Sequence, residues 1–253
     1  MARVIAISNQ KGGVGKTTTA VNLSACLAAA EQRTLLVDLD PQANAGSGLG
    51  VQSETSDDSI YAVLTGRKIL DEVVRESEIP FLGVAPSHID LIGAEIELVN
   101  AIARETQLRR ALEPVKDQYD FVILDCPPSL GLLTLNALTG ADSILIPIQC
   151  EYYAMEGLGQ LLNTVRLVQR HLNPELVIEG VLLTMFDSRL NLSKQVAGEM
   201  RNYFDSKVYT TQIPRNVRLS EAPSFGKPVI LYDILSRGAR SYLDLAQEVL
   251  AHG

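Results

Sequence analysis

Residues 9–18 read Asn-Gln-Lys-Gly-Gly-Val-Gly-Lys-Thr-Thr, and this stretch decides the fold. Gly15, Lys16 and Thr17 fill the G-K-[ST] end of the loop that holds nucleoside-triphosphate phosphates. Glycines let backbone N–H groups come close to phosphate oxygens. The lysine reaches the β- and γ-phosphates, and the threonine hydroxyl suits Mg2+. The first glycine of the usual pattern, five residues before Gly15, is replaced by Gln10, and Lys11 follows it. The loop is a variant that carries a second lysine.

Its flanks agree with it. Arg3-Val-Ile-Ala-Ile-Ser8 is a β-branched apolar run of the kind found in buried strands. Thr19 to Ala30 is rich in alanine and leucine and predicts a helix. A strand, a glycine loop and a helix N-terminus bring oriented amides and the positive end of the helix dipole to one point. Further along, strands are predicted at 34–40, 120–125, 143–148 and 177–184. Helices are predicted near 58–76, 92–113, 153–172, 190–204 and 237–251. The alternation predicts an α/β P-loop fold, a mostly parallel twisted sheet with helices on both faces. With no low-complexity linker and no internal repeat, residues 1–253 read as a single domain. Ligands are then expected at the carboxyl ends of the strands.

Hydrophobic residues make up 46% of the chain and charged residues 21%, an ordinary globular balance. No run of about 18 apolar residues is present, and the first strand leaves no room for a secretion signal. Cys26, Cys126 and Cys150 are isolated and odd in number, which fits a reducing cytoplasm and gives no C-x-x-C pair. The net charge of −8 argues against nucleic acid, but its distribution is uneven. Residues 1–186 hold 13 Lys and Arg against 23 Asp and Glu, a balance of −10; residues 187–253 hold 9 against 7, a balance of +2. From charge alone, the basic window 189–218 reads as a solvated surface or a DNA contact.

Asp125 ends an apolar strand and can reach a Mg2+ ion shared with Thr17. Asp38 and Asp40 are two apart, so an extended strand would put both on one face. Neighbouring carboxylates repel unless a cation offsets them. Asp40, nearer the loop, can orient or deprotonate an attacking water, and a solvated turn into Pro41 explains the spacing equally well. His88, His171 and His252 show no catalytic or metal-ligand spacing. Tyr152 and Tyr153 read as packing or as a recognition surface.

Together these residues resemble the ParA/MinD group of P-loop ATPases, the deviant Walker A family. The matching stretches are Lys11-Gly-Gly-Val-Gly-Lys-Thr-Thr18, Val37-Asp-Leu-Asp-Pro-Gln42 and Leu124-Asp-Cys-Pro-Pro-Ser129. Gln149 to Gly157 and Ile213 to Ser224 narrow the resemblance to the chromosomal ParA (Soj) type. It implies a Mg2+-dependent ATPase of DNA segregation, cytoplasmic and nucleoid-associated, that pairs into an ATP-sandwich homodimer. Gly12, Gly13, Val14, Gly15, Lys16, Thr17 and Thr18 would cradle ATP, with Pro214 and Asn216 near the adenine. Lys11 would reach the partner subunit's phosphates, Asp40 would activate water, and Thr17 and Asp125 would hold the metal. Arg189 and Arg218 would bind double-stranded DNA without sequence preference in the dimer. A ParB-type centromere-binding protein would stimulate hydrolysis and release.

Two other members of the wider group are weighed against this. A MinD-like division-site ATPase needs a basic amphipathic membrane tail. Residues 239–253 carry Asp244 and Glu248 and no lysine, and read better as a helix packed on the sheet. An iron–sulfur reductase ATPase needs cluster cysteines, and Cys126 and Cys150 do not match that pattern. The loop begins near residue 9, so no N-terminal helix-turn-helix extension is expected.

Overall fold

A computed structural model describes residues 1–99, 101–151 and 154–251. Its strands are β1 (Arg3–Ile7), β2 (Thr34–Asp38), β3 (Arg75–Glu76), β4 (Leu82–Ala85), β5 (Phe121–Asp125), β6 (Ser143–Gln149), β7 (Val177–Phe186) and β8 (Val208–Pro214). They form one sheet in the order β3-β4-β2-β5-β1-β6-β7-β8. Every neighbouring pair is parallel except β3 with β4. The described helices of eight or more residues are α1 (Lys16–Ala29), α2 (Leu91–Leu98), α3 (Leu132–Gly140), α4 (Ala154–His171), α5 (Asn191–Phe204) and α6 (Arg237–Ala251).

The central strands are apolar throughout because both their faces are covered. Successive side chains of β1 alternate: Val4 and Ala6 join the core under α2 to α5, while Ile5 and Ile7 join the core under α1 and α6. Burying a valine or isoleucine side chain of this kind contributes about 1.5–3 kcal/mol. β1 lies between β5 and β6, so the loop that leaves its carboxyl end emerges mid-sheet beside the end of β5.

Several boundaries differ from expectation. The helix after the loop begins at Lys16, not Thr19, because Gly15 in the left-handed region serves as its cap. The predicted helix 58–76 is broken into Ile60–Leu64 and Leu70–Val73 and ends in strand β3, with Gly66 turning the chain at φ 72°. The predicted helix 92–113 is interrupted by Ala103 at φ 53° and resumes at Gln107–Leu112. Strands β4 and β8 and helix α3 have no counterpart among the predicted elements; β8 is a polar edge strand with little apolar signature. Helix α6 packs its buried face, including Tyr242, Leu245 and Val249, into the core, in agreement with the packed-helix reading of residues 237–251. Among the described residues no helix is long and apolar enough to cross a membrane. Tyr152, Tyr153 and His252 lie outside the described residues.

Candidate functional site

The loop between β1 and α1 is shaped by two glycines. Gly13 and Gly15 sit at φ 76° and 87°, where a side chain would be strained. Asn9 anchors the loop: its amide donates to the Pro147 carbonyl at 2.7 Å, and its Oδ1 accepts from the Lys11 N–H at 3.0 Å. From β7, the Thr184 hydroxyl donates to the Val14 carbonyl at 2.8 Å. Sequence reasoning missed both anchors. Asn9 opens the loop motif itself, whereas Thr184 gives no local signal.

Lys16 is buried at 6% exposure, and its Nζ donates to the Lys11 carbonyl at 3.1 Å. Burial lowers its pKa, and the charge of Asp125 opposes that fall. The Lys11 ammonium points elsewhere, to Glu151 at 3.1 Å. The two lysines of the loop thus have different partners.

Three carboxylates lie at the strand ends facing this loop. Asp38 and Asp125 are register partners on β2 and β5, and both are fully buried. Neither oxygen of Asp125 has a hydrogen-bond partner of normal geometry. Burial and then the charge of Asp38 push its pKa well above the usual carboxylate range, against the pull of Thr17 and Lys16. Asp38 is satisfied differently: it accepts from the N–H groups of Asp40, Ala45 and Gly46 at 3.1, 2.9 and 3.0 Å. Burial chiefly, with the charge of Asp40, still pushes its pKa up to about 7. The shared strand face expected for Asp38 and Asp40 is corrected, because β2 ends at Asp38 and Asp40 begins the following turn. Asp40 accepts from the Gln42 N–H at 3.0 Å. Asp38 is therefore committed to shaping the loop, and Asp40 is the less committed of the two.

A cavity of about 340 Å3 adjoins the start of α1, lined by Gly15, Thr18, Met185, Pro214, Asn216 and Tyr242. The structure therefore brings Pro214 and Asn216 to the loop from the far edge of the sheet. The size falls within the range of about 300–1,000 Å3 usual for small-molecule sites. Asn216 Oδ1 accepts from the Arg218 N–H at 2.9 Å and caps the short helix Val217–Glu221. Of the larger cavities, those of about 520 and 570 Å3 open at the amino ends of the strands near Arg3 and Arg33, one of about 410 Å3 lies near Arg67 and Arg110, and one of about 430 Å3 lies beside Thr17, Thr18 and Lys227 at the start of α1. The carboxyl-end rule for parallel sheets favours the two that adjoin the phosphate loop, and of these the cavity of about 340 Å3 holds Pro214 and Asn216.

The two arginines expected to meet DNA are exposed and already paired. Arg189 meets Asp187 at 2.7 Å, and Arg218 meets Glu221 at 2.8 Å and Asp233 at 3.2 Å. Exposed pairs of this kind contribute little, so a phosphate can compete for either guanidinium.

A family model described as an AAA domain matches residues 2–178. The chain is 62% identical over 253 residues to the sporulation initiation inhibitor protein Soj of Bacillus subtilis, covering 100% of both chains. It is 59% identical over 250 residues to the chromosome partitioning protein ParA of Myxococcus xanthus, covering 99% of this chain and 88% of that protein. Among solved structures, cobyrinic acid a,c-diamide synthase from Mycobacterium smegmatis with bound ATP analog and magnesium is similar, with TM-score 0.87 and 38% identity. That match covers 100% of this chain and 96% of that one. With a variant phosphate loop at the centre of a parallel sheet, carboxylates at the adjoining strand ends and relatives of this identity over their full length, the chain belongs to the Soj/ParA family of chromosome-partitioning ATPases.

Proposed function

We propose that this single-domain protein hydrolyses ATP with Mg2+ to load and release a DNA-bound dimer during chromosome or plasmid partition. The observation that carries the reading is Asp125. A fully buried carboxylate with two unpaired oxygens is costly by itself and is suited to a cation. Thr17, next to it at the start of α1, supplies a hydroxyl. The donor set of one carboxylate and one hydroxyl suits Mg2+ completed by water and phosphate oxygens. When bound, the metal neutralises charge on the β- and γ-phosphates.

The chain's own residues do the rest. Backbone N–H groups of Gly12 to Thr18 cradle the phosphates, and Lys16 exchanges the Lys11 carbonyl for a phosphate oxygen. Pro214 and Asn216 border the cavity for the base. Asp40 orients or deprotonates the attacking water, its position set by the bond from its N–H to Asp38. Lys11 leaves Glu151 and reaches the partner subunit's phosphates, where a cation stabilises developing charge. Hydrolysis then waits on pairing. The dimer doubles the basic surface at Arg189 and Arg218, which offsets the acidic bulk and gives sequence-independent binding to double-stranded DNA of the nucleoid. A ParB-type partner accelerates hydrolysis and frees the dimer.

The test is DNA binding by wild type and Asp40→Ala, with ATP and with ADP, across a salt series. The expected result is salt-sensitive binding with ATP only, persisting in Asp40→Ala, which binds ATP without turning it over. DNA binding that ignores the nucleotide, or rapid hydrolysis by Asp40→Ala, would overturn the reading.

A further inference from the structure

The surface around Arg189 and Arg218 carries less positive charge than two arginines suggest. Arg189 is committed to Asp187, which accepts from its Nε and Nη2 at 2.9 and 2.7 Å and from its backbone N–H at 3.0 Å. Arg218 is held by Glu221 at 2.8 Å and by Asp233 at 3.2 Å. Two cations thus stand against three carboxylates. That balance gives a polyanion no net attraction, and pairing two copies doubles the deficit along with the surface. Affinity for a phosphate backbone calls for a further cation in the same place.

The topology supplies one. β7 and β8 run parallel with Phe186 the register partner of Pro214, so the residues that follow, Asp187 and Arg215, leave the sheet side by side. Arg215 is exposed, and among the described residues its side chain makes no ion pair or hydrogen bond. Its charge is felt at Asp187 all the same. The hydrogen bonds from Arg189 chiefly, and then the charges of Arg189 and Arg215, hold that carboxyl down to about 2. Asp187 therefore serves two arginines and bonds to one. Arg218 comes three residues after Arg215, on the short helix Val217–Glu221 that Asn216 caps. By register Arg215 adjoins the loop of Arg189, and by chain it adjoins the helix of Arg218.

An unpaired guanidinium is the most available of the three. A phosphate that meets Arg189 or Arg218 must first displace a carboxylate, whereas at Arg215 it displaces only water and counter-ions. The planar fork also suits two phosphate oxygens at once.

We propose that Arg215 is a third phosphate-binding residue of the DNA surface, lying between Arg189 and Arg218, with Asp187 as the counter-ion that tempers it. This rests on the reading that the ATP-bound dimer binds DNA without sequence preference. The experiment measures binding of a fluorescein-labelled, mixed-sequence DNA duplex to the full chain with a non-hydrolysable ATP analogue, by anisotropy across a salt series. It compares wild type, Arg215→Gln, Arg215→Lys, Asp187→Asn and the double variant Arg189→Glu with Arg218→Glu. Arg215→Gln should lower affinity at low salt about tenfold. It should also flatten the slope of log affinity against log salt by about 0.9 for each copy of the residue that meets a phosphate. Arg215→Lys keeps the charge and should keep the slope. Asp187→Asn removes a carboxylate and should bind more tightly than wild type at low salt. A residue that merely shaped the neighbouring base cavity would lower the bound fraction in the Gln and Lys variants alike and leave the slope unchanged, and that result would overturn the proposal. Wild-type affinity and slope in Arg215→Gln, while the double variant loses binding, would also overturn it and leave the DNA reading standing. Wild type that fails to bind the duplex with any nucleotide would sink the DNA reading and the role of Arg215 with it.

Discussion

At Asp125 the proposed metal-holding role opposes stability. Its carboxyl is buried beside Asp38 without a hydrogen bond of normal geometry, and a negative charge at either position is unfavourable to the other. Asp38 has a folded pKa near 7, raised above the ordinary carboxylate value near 4. A raised pKa means the folded state holds a proton that the unfolded chain has lost. The associated stability is present at low pH and is lost as pH rises through about 7. Without nucleotide or metal, the protein should therefore melt higher at pH 6 than at pH 8. Asp125→Asn removes one charge of the pair. It should raise the melting temperature at pH 8 by a few degrees, since about 1 kcal/mol corresponds to roughly 2–4 °C in a chain of this size. The same variant should lose Mg2+-dependent hydrolysis. Scanning calorimetry at the two pH values and a turnover assay check both halves, and a variant that melts lower at pH 8 would contradict the account.

At the scale of elements, α1 is held from behind by the C-terminal part of the chain. Thr19 and Tyr242 of α6 share a buried hydroxyl–hydroxyl hydrogen bond of 3.1 Å, and Asn22 accepts from the Val229 N–H at 2.7 Å. Tyr242→Phe should cost about 1 kcal/mol by denaturant unfolding and should weaken nucleotide binding as well, because α1 carries Lys16, Thr17 and Thr18 at its start. Unchanged nucleotide affinity alongside the fall in stability would show that α1 is positioned without this bond. The same region marks how far the sequence can be read. The loop and α1 are contiguous, so their chemistry stands in a ten-residue string. Asp125 is also legible, as a charge at the end of an apolar run. Thr184 and Met185 reach the site only because β7 lies beside β6 and β6 beside β1, an order no local pattern states. The break at Ala103 leaves no mark, because an alanine there takes a turn position that glycine or asparagine would have advertised. β8 is hidden by its half-solvated edge position, where polar residues are tolerated.

For the whole molecule the net charge of −8 and the proposed binding to DNA are reconciled by geometry rather than by composition. Arg189 follows the end of β7 and Arg218 lies just after β8, so neighbouring strands deliver both to the same end of the sheet. Arg189→Glu with Arg218→Glu should leave nucleotide-dependent pairing intact and lower DNA affinity at low salt by tenfold or more. The slope of log affinity against log salt should also flatten by about 0.9 for each phosphate that the variant no longer neutralises. Fluorescence anisotropy over a salt series checks this, and an unchanged slope would place the DNA-binding surface elsewhere.

The bond from the Lys16 ammonium to the Lys11 carbonyl has a consequence for selectivity. A lysine already satisfied by its own loop sets a threshold for any anion that competes for it. Free phosphate spans only part of the row of loop N–H groups, so it offsets the displaced bond with fewer new ones. A triphosphate meets the ammonium and the row of loop N–H groups together, so its gain is summed over several bonds while the displacement is made once. If Lys16 meets the phosphates as proposed, the loop would select for longer polyphosphates before the base cavity has any part in the choice.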